Sequence, residues 1–260
     1  MSDIVKFEDG AHWYAVDGTP AYTRLTKDGK ERKTTLRDAR KENLVPSVTT
    51  VNKLIANEFL QRWKLENLLT AALTLPQNQD EDVQAFAQRV WQDSNTIVEG
   101  AMNFGTEMHD AIEIRLRLGS QDGMVIRSEI APHFELVERW ISTNVSIFDD
   151  AEFSVVGKEG YAGRVDALVE HKEHGPCLVD WKTQNVRKKP NFYDTWVRQL
   201  AAYRHAAKLK CRLLSVVISS NDPMDPVEKL WEEDECERAL EVFLQTLRLW
   251  QLINKYKPKL

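Results

Sequence analysis

The chain has 260 residues, of which 42% are apolar and 29% are charged, a composition typical of a globular protein with one large domain or two small ones. This composition excludes disordered, collagen-like and fibrous chains. The formal net charge of −5 excludes a histone-like nucleic-acid binder that relies on overall positive charge, but it leaves room for a local basic groove.

The first half of the chain is predicted to be mostly helical after a short extended start. Residues 4–26 are expected to form short extended pieces, with a strand at 12–16 that enters a turn at Asp17-Gly18. Residues 24–41 carry eight basic and three acidic side chains among few apolar ones. This pattern predicts an exposed loop that is either solvated or in contact with phosphates. Ser47 or Thr49 is expected to cap a helix that continues to about residue 73, and further helices are predicted at about 80–91, 94–118 and 127–147.

In the second half the hydrophobic period changes from helical to alternating. Hairpin spacing predicts three antiparallel strands, followed by a helix, a central apolar strand, an edge strand and a last amphipathic helix with an acidic first turn. The fold class is therefore α/β, with a central mixed sheet flanked by helices and a helical N-terminal half. The predicted bounds are 152–156, 164–170 and 177–182 for the strands, 192–208 for the helix, then 213–218, 227–231 and 232–256.

Three regions follow from this order of elements. Residues 1–46 hold the N-terminal strands and the basic loop, residues 47–150 are the helical region, and residues 151–260 are the core, which also uses the helix at 105–118. We expect them to form one compact domain overall.

Cysteine usage and the lack of long apolar segments indicate a reducing compartment. Cys177, Cys211 and Cys236 cannot pair completely and include no C-x-x-C, so we expect reduced thiols and neither a four-cysteine zinc site nor an iron–sulfur cluster. The first ten residues resemble neither a secretory signal nor a transit peptide, and no stretch reaches the ~18 apolar residues of a membrane span. The sequence therefore predicts a cytoplasmic protein without a membrane partner.

Two acids on neighbouring predicted strands are the first candidates for chemistry. Asp166 lies within one strand and Asp180 ends the next, so an antiparallel turn between them would bring both carboxylates to one edge. Lys182 lies two residues after Asp180 and points to the same face of an extended strand. A simple salt bridge at the strand end is the structural alternative, since acid-x-Lys triplets also occur elsewhere in the chain, at Asp28 and Lys30 for example.

Two helical pairs accompany these strands. His109 and Glu113 lie at i and i+4 of one predicted helix, and Gln199 and Tyr203 have the same spacing in the helix that follows Lys182. The spacing places each pair on one helix face.

Taken together, four motifs resemble the PD-(D/E)XK nuclease superfamily, specifically its RecB-like exonuclease branch. They are GTEMHDAIE from residue 105, GYAGRVDAL from residue 160, CLVDWKT from residue 177 and RQLAAYRHA from residue 198, and they span about 40% of the chain. The earlier PSVTTVNKL and QRWK are similar to the opening helices of viral and mitochondrial members. The resemblance implies a restriction-endonuclease-like core.

The resemblance also implies roles for single residues. His109, Asp166, Asp180 and the backbone carbonyl of Trp181 would bind one or two Mg²⁺ or Mn²⁺ ions, with Glu113 and Glu152 as further candidates for the metal shell. Lys182 would orient the attacking water or stabilise developing charge, and Gln199 would position the groups of the site. Tyr203 would contact the DNA backbone. Some relatives hold an iron–sulfur cluster with four cysteines, and the departure of this chain from that pattern predicts that it has none.

General chemistry agrees with this assignment. Hard carboxylate oxygens suit Mg²⁺ or Mn²⁺, and a single imidazole is tolerated more readily by Mn²⁺. Arg187, Lys188 and Lys189 follow the Lys182 strand and would either contact the DNA backbone or remain a solvated loop.

The expected function is a metal-dependent DNA exonuclease that acts on linear DNA with a free end, in recombination, repair or genome processing in a bacterial or phage-infected cell. The helices in 48–100 would cap the site and exclude a continuous duplex. A single-strand annealing or replication protein is a candidate partner. An endonuclease on the same core, a non-catalytic DNA-binding protein and an unrelated protein with salt-bridged strand ends remain alternatives.

Overall fold

A computed structural model describes residues 11–55 and 58–260 of the chain. The fold is mixed α/β, built on a five-stranded mixed sheet with helices on both faces. Two small two-stranded sheets precede it. The elements are β1 (Trp13–Tyr14), β2 (Thr23–Leu25), β3 (Glu31–Lys33), α1 (Leu36–Glu42), β4 (Val45–Pro46), α2 (Val48–Asn52), α3 (Glu58–Thr74), α4 (Val83–Leu118), α5 (Ala131–Asn144), β5 (Val145–Gly157), β6 (Tyr161–His171), β7 (Gly175–Gln184), α6 (Asp194–Ala207), β8 (Arg212–Ser219), β9 (Val227–Leu230) and α7 (Glu233–Ile253).

The main sheet has the strand order β5-β6-β7-β8-β9. The first three strands form the predicted antiparallel meander. The crossover through α6 makes β8 parallel to β7, and β9 closes the sheet as an antiparallel edge strand. β8 is buried along nearly its whole length, as the predicted central position requires.

Each face of the sheet carries its own hydrophobic core. Along β7, Leu178 packs into a core formed with α2, α6 and α7, while its neighbour Val179 packs into a second core formed with α4 and α5. This alternation is the period-2 pattern of a strand buried on both faces. Met108 and Ile112 of α4 lie in the second core, so the C-terminal half of that long helix is held against the sheet.

The prediction of a loop over 24–41 is wrong, because β2 and β3 form a hairpin there and α1 follows it. The helix is set by a capping box, in which the Thr35 hydroxyl accepts from the Asp38 N–H while the Asp38 carboxylate accepts from the Thr35 N–H. Ion pairs of Arg24 with Glu42 and of Arg32 with Asp38 tie the hairpin to the helix. The predicted extended pieces before residue 11 lie outside the described residues.

Two predicted helix boundaries are also wrong. The helices expected at 80–91 and 94–118 are one helix, α4, because the Ser94 hydroxyl donates to the carbonyl of Trp91 within the helix instead of capping a new one. Ser47 caps only the short α2, because the amides of Leu54 and Ile55 bond three residues back and tighten the chain out of the helix. Residues 56–57 of that expected helix lie outside the described part.

The three cysteines are free thiols, and Cys177 and Cys236 are buried. Within residues 11–55 and 58–260, no helix combines the length and the apolar character needed to cross a bilayer.

Candidate metal centre and active site

The two acids and the lysine singled out in the sequence meet where β6 and β7 separate. The ladder between these strands begins at Ala167, paired with Val179, and does not extend to Asp166. At that point the Trp181 N–H donates to Oδ2 of Asp166, at 2.9 Å. Where the ladder between β6 and β7 has ended, the Asp166 carboxylate therefore accepts the bond that a backbone carbonyl of β6 would otherwise accept. This bond to the backbone of β7 holds the carboxylate next to Asp180.

Asp180 and Lys182 form a buried ion pair, with 2.6 Å between Oδ1 and Nζ. Asp180 is 1% exposed, and its Oδ2 is buried without a hydrogen-bond partner. Burial raises the pKa of Asp180 above its ordinary value in spite of the Lys182 ammonium, and the Asp166 charge adds to this effect. Burial alone would lower the pKa of Lys182, but the Asp180 and Asp166 carboxylates outweigh it, so that the pKa is raised and the ammonium stays charged.

Glu152 joins Asp166 from the neighbouring strand. Because Ala151 pairs with Ala167 and Phe153 with Val165, Glu152 stands opposite Asp166 on β5. Its backbone has φ of 52°, in the left-handed region that non-glycine residues rarely adopt, and β5 loses its regular register just before it. Burial, followed by the Asp166 charge, raises the pKa of Glu152 to about 7.

His109 completes this group from α4. Its Nδ1 lies 3.7 Å from Oδ2 of Asp166, and His109, Glu152 and Asp166 each offer a ligand atom within 4.8 Å of the others. Two crowded carboxylates and an imidazole form a donor set that fits Mg²⁺ or Mn²⁺. Asp180 is not one of these three, but its unpartnered buried oxygen next to Asp166 is a polar atom that such a cation would compensate. Ligation by the carbonyl of Trp181 stays a prediction.

Gln199 and Tyr203 lie on one face of α6, as their spacing predicts, and the Gln199 amide donates to the Tyr203 hydroxyl at 3.1 Å. The ring of Tyr203 is 5% exposed and packs on Gly163 of β6. Burial raises the pKa of Tyr203 well above its ordinary value, and the Asp166 and Asp180 charges act in the same direction. Tyr203 therefore packs against the strand that carries Asp166, and its contact with DNA stays a prediction.

Glu113 is not among the three residues of the ligand group and pairs with arginines beside it. Its Oε1 accepts from Nε of Arg117 at 2.9 Å, and its Oε2 lies 3.9 Å from Arg164. Arg164 also forms an ion pair with Glu152. Neither Arg117 nor Arg164 was predicted from the sequence as a site residue, although Arg164 lies two residues before Asp166 and hence on the same side of β6.

The basic trio is exposed. Arg187, Lys188 and Lys189 lie in the loop between β7 and α6, beyond the strand that carries Lys182. Asn221 anchors the start of this loop through both backbone groups of Val186. Contact of the trio with a DNA backbone stays a prediction.

A second polar cluster, at the β6–β7 turn, was not foreseen in the sequence. His171, His174 and Glu228 bring ligand atoms within 4.8 Å of one another. Nδ1 of His171 accepts from the backbone N–H groups of Glu173 and His174, so a neutral imidazole carries its proton on Nε2. Binding of a metal ion by Nε2 would require the proton to lie on Nδ1. That proton would then point at the backbone N–H donors of Glu173 and His174. This cluster therefore suits a structural turn and does not fit a cation.

No protein-family model matches the chain, and a search of curated proteins finds no match either.

Proposed function

We propose that the chain is a metal-dependent deoxyribonuclease with a restriction-endonuclease-like core, and that it degrades linear DNA from a free end. The observation that carries the proposal is the convergence of His109, Glu152 and Asp166 from α4, β5 and β6 beside the buried Asp180–Lys182 pair. His109, Asp166 and the Asp180–Lys182 pair lie in the first three of the four motifs that resemble the PD-(D/E)XK nucleases, and Glu152 lies outside them.

The charge pattern favours a cation at this site. Glu152 and Asp166 oppose each other across the ladder, and Asp180 lies next to Asp166 in a buried position. Like charges this close make ionisation of each other less favourable, and burial, followed by the Asp166 charge, raises the pKa of Glu152 to about 7. A purely structural site would have no need for three acids in this arrangement, since Asn or apolar residues would avoid the cost.

In the proposed mechanism, His109, Glu152 and Asp166 would hold the divalent cation, with Asp180 next to them. When bound, such a cation lowers the pKa of a coordinated water and polarises a phosphoryl oxygen. Nζ of Lys182 donates to the attacking water or to a phosphate oxygen, for which its side-chain exposure of 22% leaves a path. Asp180 holds Nζ in place, and the Gln199–Tyr203 pair supports the strand beneath Asp166.

Binding of DNA is proposed to be local, because the net charge of the chain is −5. The exposed Arg187, Lys188 and Lys189 lie in the loop that follows β7, beyond Lys182, and they would contact the phosphate backbone. The hairpin of α3 and α4 is proposed to cap the site and to favour a free DNA end over a continuous duplex. A cytoplasmic setting, with a single-strand annealing or replication protein as partner, belongs to the same proposal.

The test uses end-labelled single- and double-stranded linear DNA and a closed circle, each incubated with Mg²⁺, Mn²⁺ or EDTA. We expect metal-dependent loss of the linear DNA only, and loss of this activity in Asp180→Ala and Lys182→Ala. Asp28→Ala and Glu31→Ala are matched controls, because each removes an exposed acid of the hairpin and leaves its basic residues in place. They should retain full activity.

The other outcomes of this experiment would favour a different function for the chain. Cutting of the circle at the rate of the linear DNA would identify an endonuclease on the same core. Binding of DNA without cleavage in any metal would identify a non-catalytic binder. Equal activity in Asp180→Ala and Asp28→Ala would remove the site from the proposal.

A further inference from the structure

Glu152 is shared between two roles that compete for its negative charge. Its carboxylate belongs to the ligand group with His109 and Asp166, and the same carboxylate pairs with the guanidinium of Arg164. Arg164 is further held by a hydrogen bond from its Nε to the Glu152 carbonyl, at 3.2 Å. A cation bound by Glu152 would compete with Arg164 for the same negative charge.

Among residues 11–55 and 58–260, Arg164 has no second anion as close as Glu152. The next carboxylate, Glu113, lies 3.9 Å away and is already bonded to Arg117 at 2.9 Å. Arg117 is itself fixed by a 2.8 Å bond to the Ala151 carbonyl. The Arg164 side chain is 45% exposed, so that once Glu152 turns to a metal, its donors face solvent at the rim of the site.

The position of Arg164 also suits a contact with a DNA phosphate. It lies two residues before Asp166 on β6, on the same side of the strand, and it contacts the residues of β5 and α4 that border the ligand group. A planar guanidinium with several donors is well suited to a phosphate.

From this geometry we infer that Arg164 is a DNA phosphate-binding residue that metal binding releases from Glu152. In the metal-free chain Arg164 neutralises Glu152. When the site holds a divalent cation, the Glu152 carboxylate is a ligand of the cation and Arg164 binds a phosphate next to the scissile bond. Metal and DNA therefore bind with positive coupling through the Glu152–Arg164 pair. The inference rests on the proposed function and adds a residue that binds substrate and couples it to the metal.

Two measurements without turnover test the coupling. The affinity for Mn²⁺ alone is measured by titration calorimetry. The affinity for a phosphorothioate oligonucleotide, which resists cleavage, is measured by fluorescence anisotropy with and without Mn²⁺. Arg164→Gln is the key variant, because the position is half exposed and the change leaves the core intact.

We expect Arg164→Gln to bind Mn²⁺ as tightly as the parent or more tightly, because a competing cation has been removed. The same variant should lose the Mn²⁺-induced gain in DNA affinity, about tenfold for one charge-assisted contact. Arg238→Gln is the matched control, an exposed arginine of α7 whose partner is Asp234, and it should keep the gain. Glu152→Gln should weaken Mn²⁺ binding and raise DNA affinity without metal, since Arg164 is then free.

A purely structural role for Arg164 would instead lower both affinities in Arg164→Gln. That result would overturn the inference and leave the proposed nuclease standing. The same holds if the parent binds Mn²⁺ and Arg164→Gln shows the same Mn²⁺-induced gain in DNA affinity as the parent. If the parent binds no Mn²⁺ at all, the proposed function itself fails and the inference falls with it.

Discussion

Gly163 lies where β6 passes over the ring of Tyr203, directly before Arg164 and Asp166. A Cβ atom built on Gly163 would lie 2.1 Å from Cε1 and 2.9 Å from Cζ of that ring. Both distances are far below van der Waals contact. The ring is 5% exposed and its hydroxyl is bonded to Gln199, so it has little room to move.

We therefore expect Gly163→Ala to destabilise the fold by about 2–3 kcal/mol, the upper range for one overpacked methyl group in a well-packed core. In a chain of this size, that corresponds to a fall of roughly 5–10 °C in Tm. Activity should fall as well, because the strand that carries Asp166 must shift to relieve the clash.

The measurement is urea unfolding followed by tryptophan fluorescence. Gly100→Ala is a matched control, because a Cβ at Gly100 in α4 meets nothing within 4 Å, and it should be neutral or stabilising by about 0.5–1 kcal/mol. Tyr203→Leu supplies the second half of a double-mutant cycle, in which Gly163→Ala should cost less than about 1 kcal/mol once the ring is gone. A parent-like stability of Gly163→Ala would refute the packing argument.

Two further predictions concern stability. Burial lowers the pKa of His171, so the unfolded chain takes up a proton at higher pH than the folded chain, and stability should fall as pH drops below about 6.5. His171→Asn keeps an acceptor for the turn and removes the titration, so its unfolding free energy should depend less on pH between about 7 and 5 than that of the parent; identical pH profiles would contradict this. Ser47→Ala removes the acceptor for the Thr50 N–H at the start of α2, at 2.9 Å, and should cost about 1 kcal/mol in the same urea assay, whereas a loss below about 0.3 kcal/mol would show that the cap contributes little.

The elements that could be predicted from the sequence are those fixed by local rules. Period-2 alternation and turn spacing place Asp166, Asp180 and Lys182 on neighbouring strands, and i, i+4 spacing pairs Gln199 with Tyr203. The capping box of Thr35 and Asp38 is also a local signal, and it could have identified α1 inside the basic segment.

Other features depend on contacts between distant segments. Glu152 reaches Asp166 through an irregular stretch of β5 and a left-handed backbone at Glu152 itself, and neither leaves a mark in the hydrophobic pattern. The continuity of α4 past Ser94 is a local matter, but a serine suits a helix cap as well as a helix interior, so the pattern alone does not decide it. Arg164 lies inside a motif already noted, but its pairing with Glu152 becomes visible only when β5 and β6 are aligned.

The irregularity at Glu152 and the charge at the site have one physical explanation. A regular strand would keep every residue of β5 in the ladder at no conformational cost, whereas a non-glycine residue with positive φ costs of order 1–3 kcal/mol. The fold accepts this cost to hold a carboxylate opposite Asp166, where burial and repulsion raise its pKa to about 7. Arg164 offsets part of the charge, but it is half exposed, and its ion pair with Glu152 is closer than its 3.9 Å contact with Glu113. A pair with these conformational and electrostatic costs is poorly suited to stabilise β5. It is better suited to the inferred exchange, in which Glu152 binds a cation and Arg164 binds a phosphate.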